Sequence, residues 1–226
     1  MNTLLITIVP SILILLFFFL SDKFKEPKGS VVLVFFLGIL ICLPAGIIND
    51  FMYKNFNDGS DLSEKLYSSF LAPAWGEELL KFIILYFVVL RRNEFNEPMD
   101  GIVYGVTVSL GFATYENYDY VFRLAELWEI DPYQMAIWRS YSAVPLHGLN
   151  GCVMGFYFGM YSFTANKKYL ILCLLIPYLI HGFYNFLDYP YHFIVVGMLT
   201  VYAIILHSQF KKMQWMKSKE KEIKRV

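Results

Sequence analysis

The chain has 226 residues, of which 57% are hydrophobic and only 17% are charged, and its formal net charge is zero. So apolar a composition excludes an ordinary soluble domain, because such domains carry more charged surface. No stripe of arginine and aromatic residues is present, so we expect the lipid bilayer, and not a nucleic acid, to surround this protein.

Long uncharged runs separate the charged residues, and each run can cross a membrane as a helix of about 20 residues. Helices are expected because each satisfies its own backbone polar groups within lipid. The sequence therefore predicts an all-α polytopic transmembrane bundle with about seven spanning helices, near residues 3–20, 31–50, 69–90, 100–119, 142–163, 169–188 and 192–210.

Two connections stand out between these runs. Residues 53–66 are polar and contain Gly59, which predicts a loop. Residues 120–138 are amphipathic, which predicts a short helix at the membrane interface. We expect one integral membrane domain over residues 1–226, with a motif-bearing core near 70–190 and a basic tail at 211–226.

Basic residues predict the orientation in the cell membrane. Taking alternate connections, lysine and arginine are concentrated after the first helix, around Arg91 and Arg92, around Lys167 and Lys168, and in the tail. Because positive charge is retained on the inner side, this bias predicts a cytoplasmic C-terminus. With seven crossings, the N-terminus is then outside.

Four predicted helices carry polar groups, which are costly in a bilayer and usually functional. They are, in chain order, Glu77, Glu78 and Lys81 in the third helix, Glu116 in the fourth, His147 in the fifth, and His181 and Asn185 in the sixth. With alternating helix directions and a rise of 1.5 Å per residue, these helices place the carboxylates and imidazoles roughly 5–10 Å below the outer boundary. We therefore expect the groups to converge in one layer.

The spacing within each helix supports this expectation. Glu77 and Lys81 are four residues apart and share a face, so they can pair, whereas Glu78 points about 100° away. His181 and Asn185 also share a face, so an imidazole and an amide can address one ligand.

Prolines lie close to three of these polar positions, at Pro73, Pro145 and Pro177. A proline inside a helix removes one backbone hydrogen bond and opens the preceding turn. Three opened turns beside polar residues would create a wet cavity on the outer side.

These groups suit hydrolysis of a peptide bond. A carboxylate sheltered from bulk water, Glu77 or Glu78, can act as the general base for water. A histidine and Asn185 can donate hydrogen bonds to the oxyanion. Alternatively, His147, His181 and Glu78 match the two-histidine, one-carboxylate ligand set of hydrolytic zinc sites. We favour a version with no obligatory cofactor and keep the metal-assisted version, with zinc as the candidate ion, open.

Other intramembrane proteases are excluded by their motifs, since the chain lacks HExxH, GxSG and GxGD. Four short motifs instead resemble those of the PrsW family of membrane proteases. They are EExxK at 77–81, Phe112 with Glu116, Asn117 and Tyr120, HxxxG at 147–151, and HxxxN at 181–185. The resemblance covers about residues 70–190, and CAAX prenyl proteases and bacteriocin-processing enzymes are wider relatives. Tyr115 and Asn185 depart from the family, which often has Phe and Asp there, so the last motif ends in an amide.

The resemblance implies glutamate-dependent cleavage of a single-pass membrane-anchored substrate, of the anti-sigma-factor type, near the extracytoplasmic face. By analogy with the CAAX proteases, Glu77 would be the base and Lys81 would support the site as an ion-pair partner. The catalytic set that we predict consists of Glu77, Glu78, Glu116, His147, His181 and Asn185.

Two other functions use similar residues. A proton- or solute-coupled transporter also buries Glu and His, but it would need polar groups in both halves of the bilayer, and the inner half of these helices looks nearly empty of them. A non-catalytic membrane scaffold on the same fold is the third reading, and the intact motifs argue against it.

Overall fold

A computed structural model describes residues 2–56 and 59–223, with side chains described as far as residue 218. Most of these residues are helical, and none of them forms a strand. The helices are α1 (Thr3–Ser21), α2 (Lys28–Leu40), α3 (Cys42–Phe56), α4 (Asp61–Leu66), α5 (Trp75–Phe87), α6 (Pro98–Asp119), α7 (Ala125–Leu127), α8 (Pro132–Tyr141), α9 (Ala143–Thr164), α10 (Lys167–Phe186) and α11 (His192–Ile223). Two π-helical segments, Tyr67–Ala74 and Tyr120–Leu124, join α4 to α5 and α6 to α7.

All seven apolar runs are mainly helical, but only four described segments are both long and apolar enough to cross a membrane. These are Thr3–Ser21, Lys28–Phe56, Lys167–Phe186 and His192–Ser218. The remaining runs correspond to α5, α6 and α9. Side chains of α6 and α9 are buried over most of their length, so these helices face protein more than lipid and tolerate small and polar residues.

Glycines allow α6 and α9 to pack closely together. A side-chain carbon at Gly105 would collide with the carbonyl oxygen of Gly151, and one at Gly101 would collide with that of Gly155. Small residues at such a contact let two membrane helices approach at backbone distance. This contact fixes α9 against α6 and thereby holds His147 beside Glu116.

The run at 31–50 lies within the candidate span Lys28–Phe56 and is interrupted at Ile41. Pro44 explains the interruption because it cannot bond the carbonyl of Leu40, where α2 ends. The expectation of a loop at 53–66 was wrong. Most of 53–66 is helical instead of a loop; α3 extends to Phe56, and the Ser60 hydroxyl caps α4 by accepting from the Ser63 N–H. Residues 57–58 lie outside the described part.

The second half differs less from the expectation. The amphipathic stretch 120–138 is helical apart from a break at 128–131, and it forms a π-helical segment, α7 and most of α8. The basic tail continues α11 as far as Ile223, while residues 224–226 lie outside the described part.

Candidate active site

The first turn of α5 presents the two adjacent glutamates to the interior of the bundle. Glu77 is 4% exposed, and Glu78 and Lys81 are fully buried. The π-helical segment before them contains Pro73, which cannot donate to the carbonyl of Ser69. Asn185 from α10 places its Nδ2 3.5 Å from that carbonyl, so the amide lies at the edge of the site.

Glu78 is the centre of a buried ion-pair network. Its Oε1 accepts from Lys81 Nζ at 2.8 Å and lies 2.9 Å from Nδ1 of His181. The same ammonium lies 3.1 Å from Nδ1 of His147 and 4.5 Å from the centre of the Phe112 ring. Two histidine helices are therefore joined through one carboxylate and one ammonium.

Glu116 forms a second network on the other side of His147. Its Oε2 lies 2.9 Å from Nε2 of that histidine and accepts from the Arg139 guanidinium at 2.7 Å. Arg139 also donates to Asn117 Oδ1 at 2.8 Å and lies 3.7 Å from the centre of the Tyr120 ring. Arg139 comes from α8, and its role could not be predicted because it is one basic residue in a segment expected at the membrane interface.

Glu77 differs from both of these acids in its contacts. Within the described part of the chain, Oε2 of Glu77 and Oε2 of Glu78 are both buried without a hydrogen-bond partner, but Oε1 of Glu78 is held by Lys81 and His181. The nearest cationic or imidazole nitrogens, Lys81 Nζ and His181 Nε2, are each 3.9 Å away. Lys81 and His181 are already engaged by Glu78, which leaves Glu77 free to take up another group.

Two small cavities meet at Glu77. One, of about 180 Å³, also contains Asn49 and Phe112 in its wall. The other, of about 100 Å³, is lined by further predicted residues, namely Glu116, His147, His181 and Asn185. Glu77 and Glu116 line both cavities and so lie between them, whereas Glu78 lines neither.

The structure thus brings every predicted polar residue into one region, with the His147 and His181 rings 5.1 Å apart.

The expectation of three opened helices was wrong for Pro145, which lies in the first turn of α9, where its missing N–H disrupts nothing. Three further acids are buried at the far end of the bundle: Asp22 and Glu26 in the connection between α1 and α2, and Asp100 at the start of α6.

A possible metal set is present but differs from the expected one. Glu77, His147 and His181 each offer a ligand atom within 4.8 Å of the others, so Glu77 takes the place that we had given to Glu78. The donor types suit zinc, and the unpartnered Glu77 oxygen suits an ion. Glu78 binds the second nitrogen of His181, as carboxylates do behind metal-bound histidines. Glu77 and His181 therefore fit such an ion, and His147 can join them once one of its nitrogens releases Glu116 or Lys81.

The fold and the site together define a class of protein. Lipid-facing apolar helices enclose a cluster of acids and imidazoles beside a small internal cavity, which is the arrangement of a membrane-embedded hydrolase.

Comparison with known proteins narrows this class. Residues 26–208 match the model of a family described as PrsW family intramembrane metalloprotease. The chain is 39% identical to Protease PrsW of Bacillus subtilis (strain 168), covering 80% of this chain and 79% of that protein. It is 36% identical to Protease PrsW of Geobacillus kaustophilus (strain HTA426), over 80% and 76%. It is 32% identical to Protease PrsW of Clostridioides difficile (strain 630), over 89% and 85%. No solved structure matches.

The chain therefore belongs to the PrsW family of intramembrane proteases. The resemblance of its four motifs to this family is confirmed, and so is its nature as a multi-pass membrane protein.

Proposed function

We propose that this protein is an endopeptidase that cleaves a membrane-anchored substrate with a water molecule activated by Glu77. The observation that carries the proposal is the contrast between the two adjacent glutamates. Glu77 lines both cavities, whereas Glu78 lines neither and is held through Oε1 by Lys81 and His181. Each glutamate keeps one unpartnered oxygen among the described residues, but a base must reach water, and only Glu77 has cavity space beside its carboxylate.

The chemical step follows from this placement. The Glu77 carboxylate takes a proton from water while the water oxygen attacks the carbonyl carbon of the scissile peptide bond. The same proton is then passed to the leaving nitrogen as the C–N bond breaks, which returns Glu77 to its carboxylate form. The products are a new carboxyl terminus and a new amino terminus.

Two cavity-lining groups can stabilise the oxyanion. Asn185 Nδ2 makes only a long contact of 3.5 Å with the Ser69 carbonyl, so it can turn to a stronger acceptor. His181, when protonated, keeps Nδ1–H on Glu78 and presents Nε2–H towards Glu77. A donor aimed at developing negative charge is worth about 10²–10³ in kcat.

The proposal requires no obligatory metal, but it specifies where one would bind. When a divalent metal such as zinc is bound, Glu77, His147 and His181 would hold it, and it supplies Lewis-acid activation of water. Coordination would occupy the same Glu77 oxygen that the metal-free version needs as a base. Chelation therefore separates the two versions, since only the metal-assisted version loses activity.

Family membership and the depth of the cluster support the proposed substrate class. Glu116 lies near one end of α6, so cleavage is expected close to one membrane face. The distribution of basic residues supports a position of that face outside the cytoplasm. We propose a single-pass membrane protein of the anti-sigma-factor type as substrate, because the motifs resemble those of PrsW proteases.

Reconstitution in liposomes tests this function. The purified full chain is mixed with single-pass peptides, and mass spectrometry locates any cut. We expect cleavage near the membrane boundary on the Glu77 side and a loss of about 10²–10⁴-fold in rate in Glu77→Gln. The function is wrong if no single-pass peptide is cut under conditions in which the protein is folded, with zinc added or removed.

A further inference from the structure

A second group of buried acids lies at the end of the bundle opposite the proposed active site. Asp22 follows α1, Glu26 lies in the connection to α2, and Asp100 lies in the first turn of α6. They are 1%, 4% and 0% exposed, and one carboxylate oxygen of each lies within 4.8 Å of the others. Asp100 is about 24 Å along α6 from Glu116, so this group is separate from the protease site.

The protein satisfies one oxygen of each carboxylate with its own donors. These contacts are Asp22 Oδ1 with the Gln214 amide at 2.6 Å and the Phe24 N–H at 3.0 Å, Glu26 Oε2 with the Tyr104 hydroxyl at 2.6 Å, and Asp100 Oδ2 with the N–H groups of Asn96 at 2.7 Å and Glu97 at 2.8 Å. Donors from four parts of the chain therefore hold the three side chains in place.

Two other carboxylate oxygens of this group receive no such contact. Asp22 Oδ2 and Asp100 Oδ1 are buried, and neither has a hydrogen-bond partner among the described residues. A buried carboxylate oxygen without a partner costs free energy, more than a neutral polar group does. This is an observation independent of the clustering itself, and it points to a missing positive partner.

The protein supplies no such partner from its described side chains. Among residues 2–56 and 59–218, no lysine, arginine or histidine nitrogen lies within 4 Å of the carboxylates of Asp22, Glu26 or Asp100. Lys217 Nζ lies 3.5 Å from Glu97, a fourth buried acid of this region, and so supplies a counter-charge to that carboxylate. Three buried acids without a base are strongly unfavourable unless a cation is bound or protons are shared.

We propose that Asp22, Glu26 and Asp100 form a binding site for one hard divalent cation, Mg²⁺ or Ca²⁺. The donor set consists only of oxygens, which these ions prefer, and it contains neither the imidazole nor the thiolate that zinc favours. Water completes the coordination shell. The ion joins the connection between α1 and α2 to the start of α6, and the Gln214 amide, which donates to both Asp22 and Glu97, extends the link to α11.

Thermal unfolding of the full chain in detergent tests this site without using protease activity. The protein is stripped with chelator, and Mg²⁺ or Ca²⁺ is added against NaCl of equal ionic strength. We expect a saturable rise in Tm of about 5–10 °C at a cation concentration 100-fold above Kd. The ion that acts at the lower concentration identifies the cation.

Four variants test whether the rise in Tm comes from cation binding at these three acids. Asp22→Asn and Asp100→Asn should each abolish the rise while leaving the cation-free Tm equal or higher, because a repulsive charge is removed. Asp131→Asn is the matched control, since Asp131 is an exposed helix cap that asparagine can replace, and it should keep the rise. Glu77→Gln should also keep it, which distinguishes this site from the proposed active site.

The proposal is overturned if neither ion raises Tm beyond NaCl, if the rise survives in both aspartate variants, or if Glu77→Gln removes it. Should neither aspartate variant fold, Mn²⁺ is titrated into the Glu77→Gln protein and followed by electron paramagnetic resonance. One bound Mn²⁺ per chain that Mg²⁺ or Ca²⁺ displaces supports the site. No bound Mn²⁺ rejects it and assigns the cluster to shared protons.

Discussion

The two ends of α6 bury acids in opposite ways. At one end, Glu116 contacts Arg139 and His147, and nearby Glu78 contacts Lys81. At the other end, Asp100 and its two acidic neighbours have no base within 4 Å among the side chains that the structure describes. The first end has its own counter-charges, which leave Glu77 as the acid free for chemistry. The second end lacks them, and we propose that it obtains a counter-charge from solution.

The largest effect is expected when a counter-charge is removed at the Glu116 end of α6. Lys81→Met should leave Glu78 buried without its ammonium partner and lower the free energy of unfolding by about 3–5 kcal/mol. Denaturant unfolding in detergent measures the loss.

The double variant Lys81→Met/Glu78→Gln is the matched control. It removes both charges, so it should recover most of the lost stability. If the single variant is as stable as the wild type, the pair does not balance charge at this end, and the contrast between the two ends fails.

A smaller effect is expected from the second network. Arg139→Gln removes the guanidinium from Glu116 but keeps a side chain of moderate length and polarity. Because Glu116 would then hold the His147 ring less firmly, we expect kcat to fall about 10–100-fold, as for other positioning partners, with little change in KM.

Steady-state cleavage by Arg139→Gln and Arg139→Lys separates positioning from folding. Lysine keeps the charge and should recover part of kcat. An unchanged kcat in the glutamine variant would show that Glu116 and His147 are positioned without Arg139.

The smallest effect belongs to an exposed ion pair. Lys65 and Asp188 are 2.9 Å apart, with side chains 41% and 81% exposed. Asp188→Asn should change the free energy of unfolding by less than about 1 kcal/mol, because solvent already screens the pair. If Asp188→Asn lowers the free energy of unfolding as much as Lys81→Met does, burial does not determine how much an ion pair contributes to stability.

Much of the first end could be predicted from the sequence. Glu77, His147 and His181 are ionisable residues inside apolar runs, so their cost in a bilayer marked them, and helix spacing placed them in one layer. Arg139 could not be found this way, because it lies in an interfacial segment where a basic residue is ordinary.

The second end was missed for a similar reason. Asp22 and Glu26 lie in a short connection that looks solvent-exposed in the sequence, and Asp100 stands at a helix start, where an acid is common. Contacts from distant parts of the chain cover this connection, since Gln214 of α11 donates to Asp22 and Tyr104 of α6 donates to Glu26. Contacts between residues nearly 200 positions apart leave no local pattern.

The central claim is that Glu77 is the base and that Glu78 holds the site together. The most direct test is the single-turnover cleavage rate of Glu77→Gln and Glu78→Gln in liposomes, measured together with the Tm of each. We predict that Glu77→Gln loses about 10²–10⁴-fold in rate and keeps the wild-type Tm, whereas Glu78→Gln lowers the Tm. Cleavage by Glu77→Gln at the wild-type rate would contradict the account.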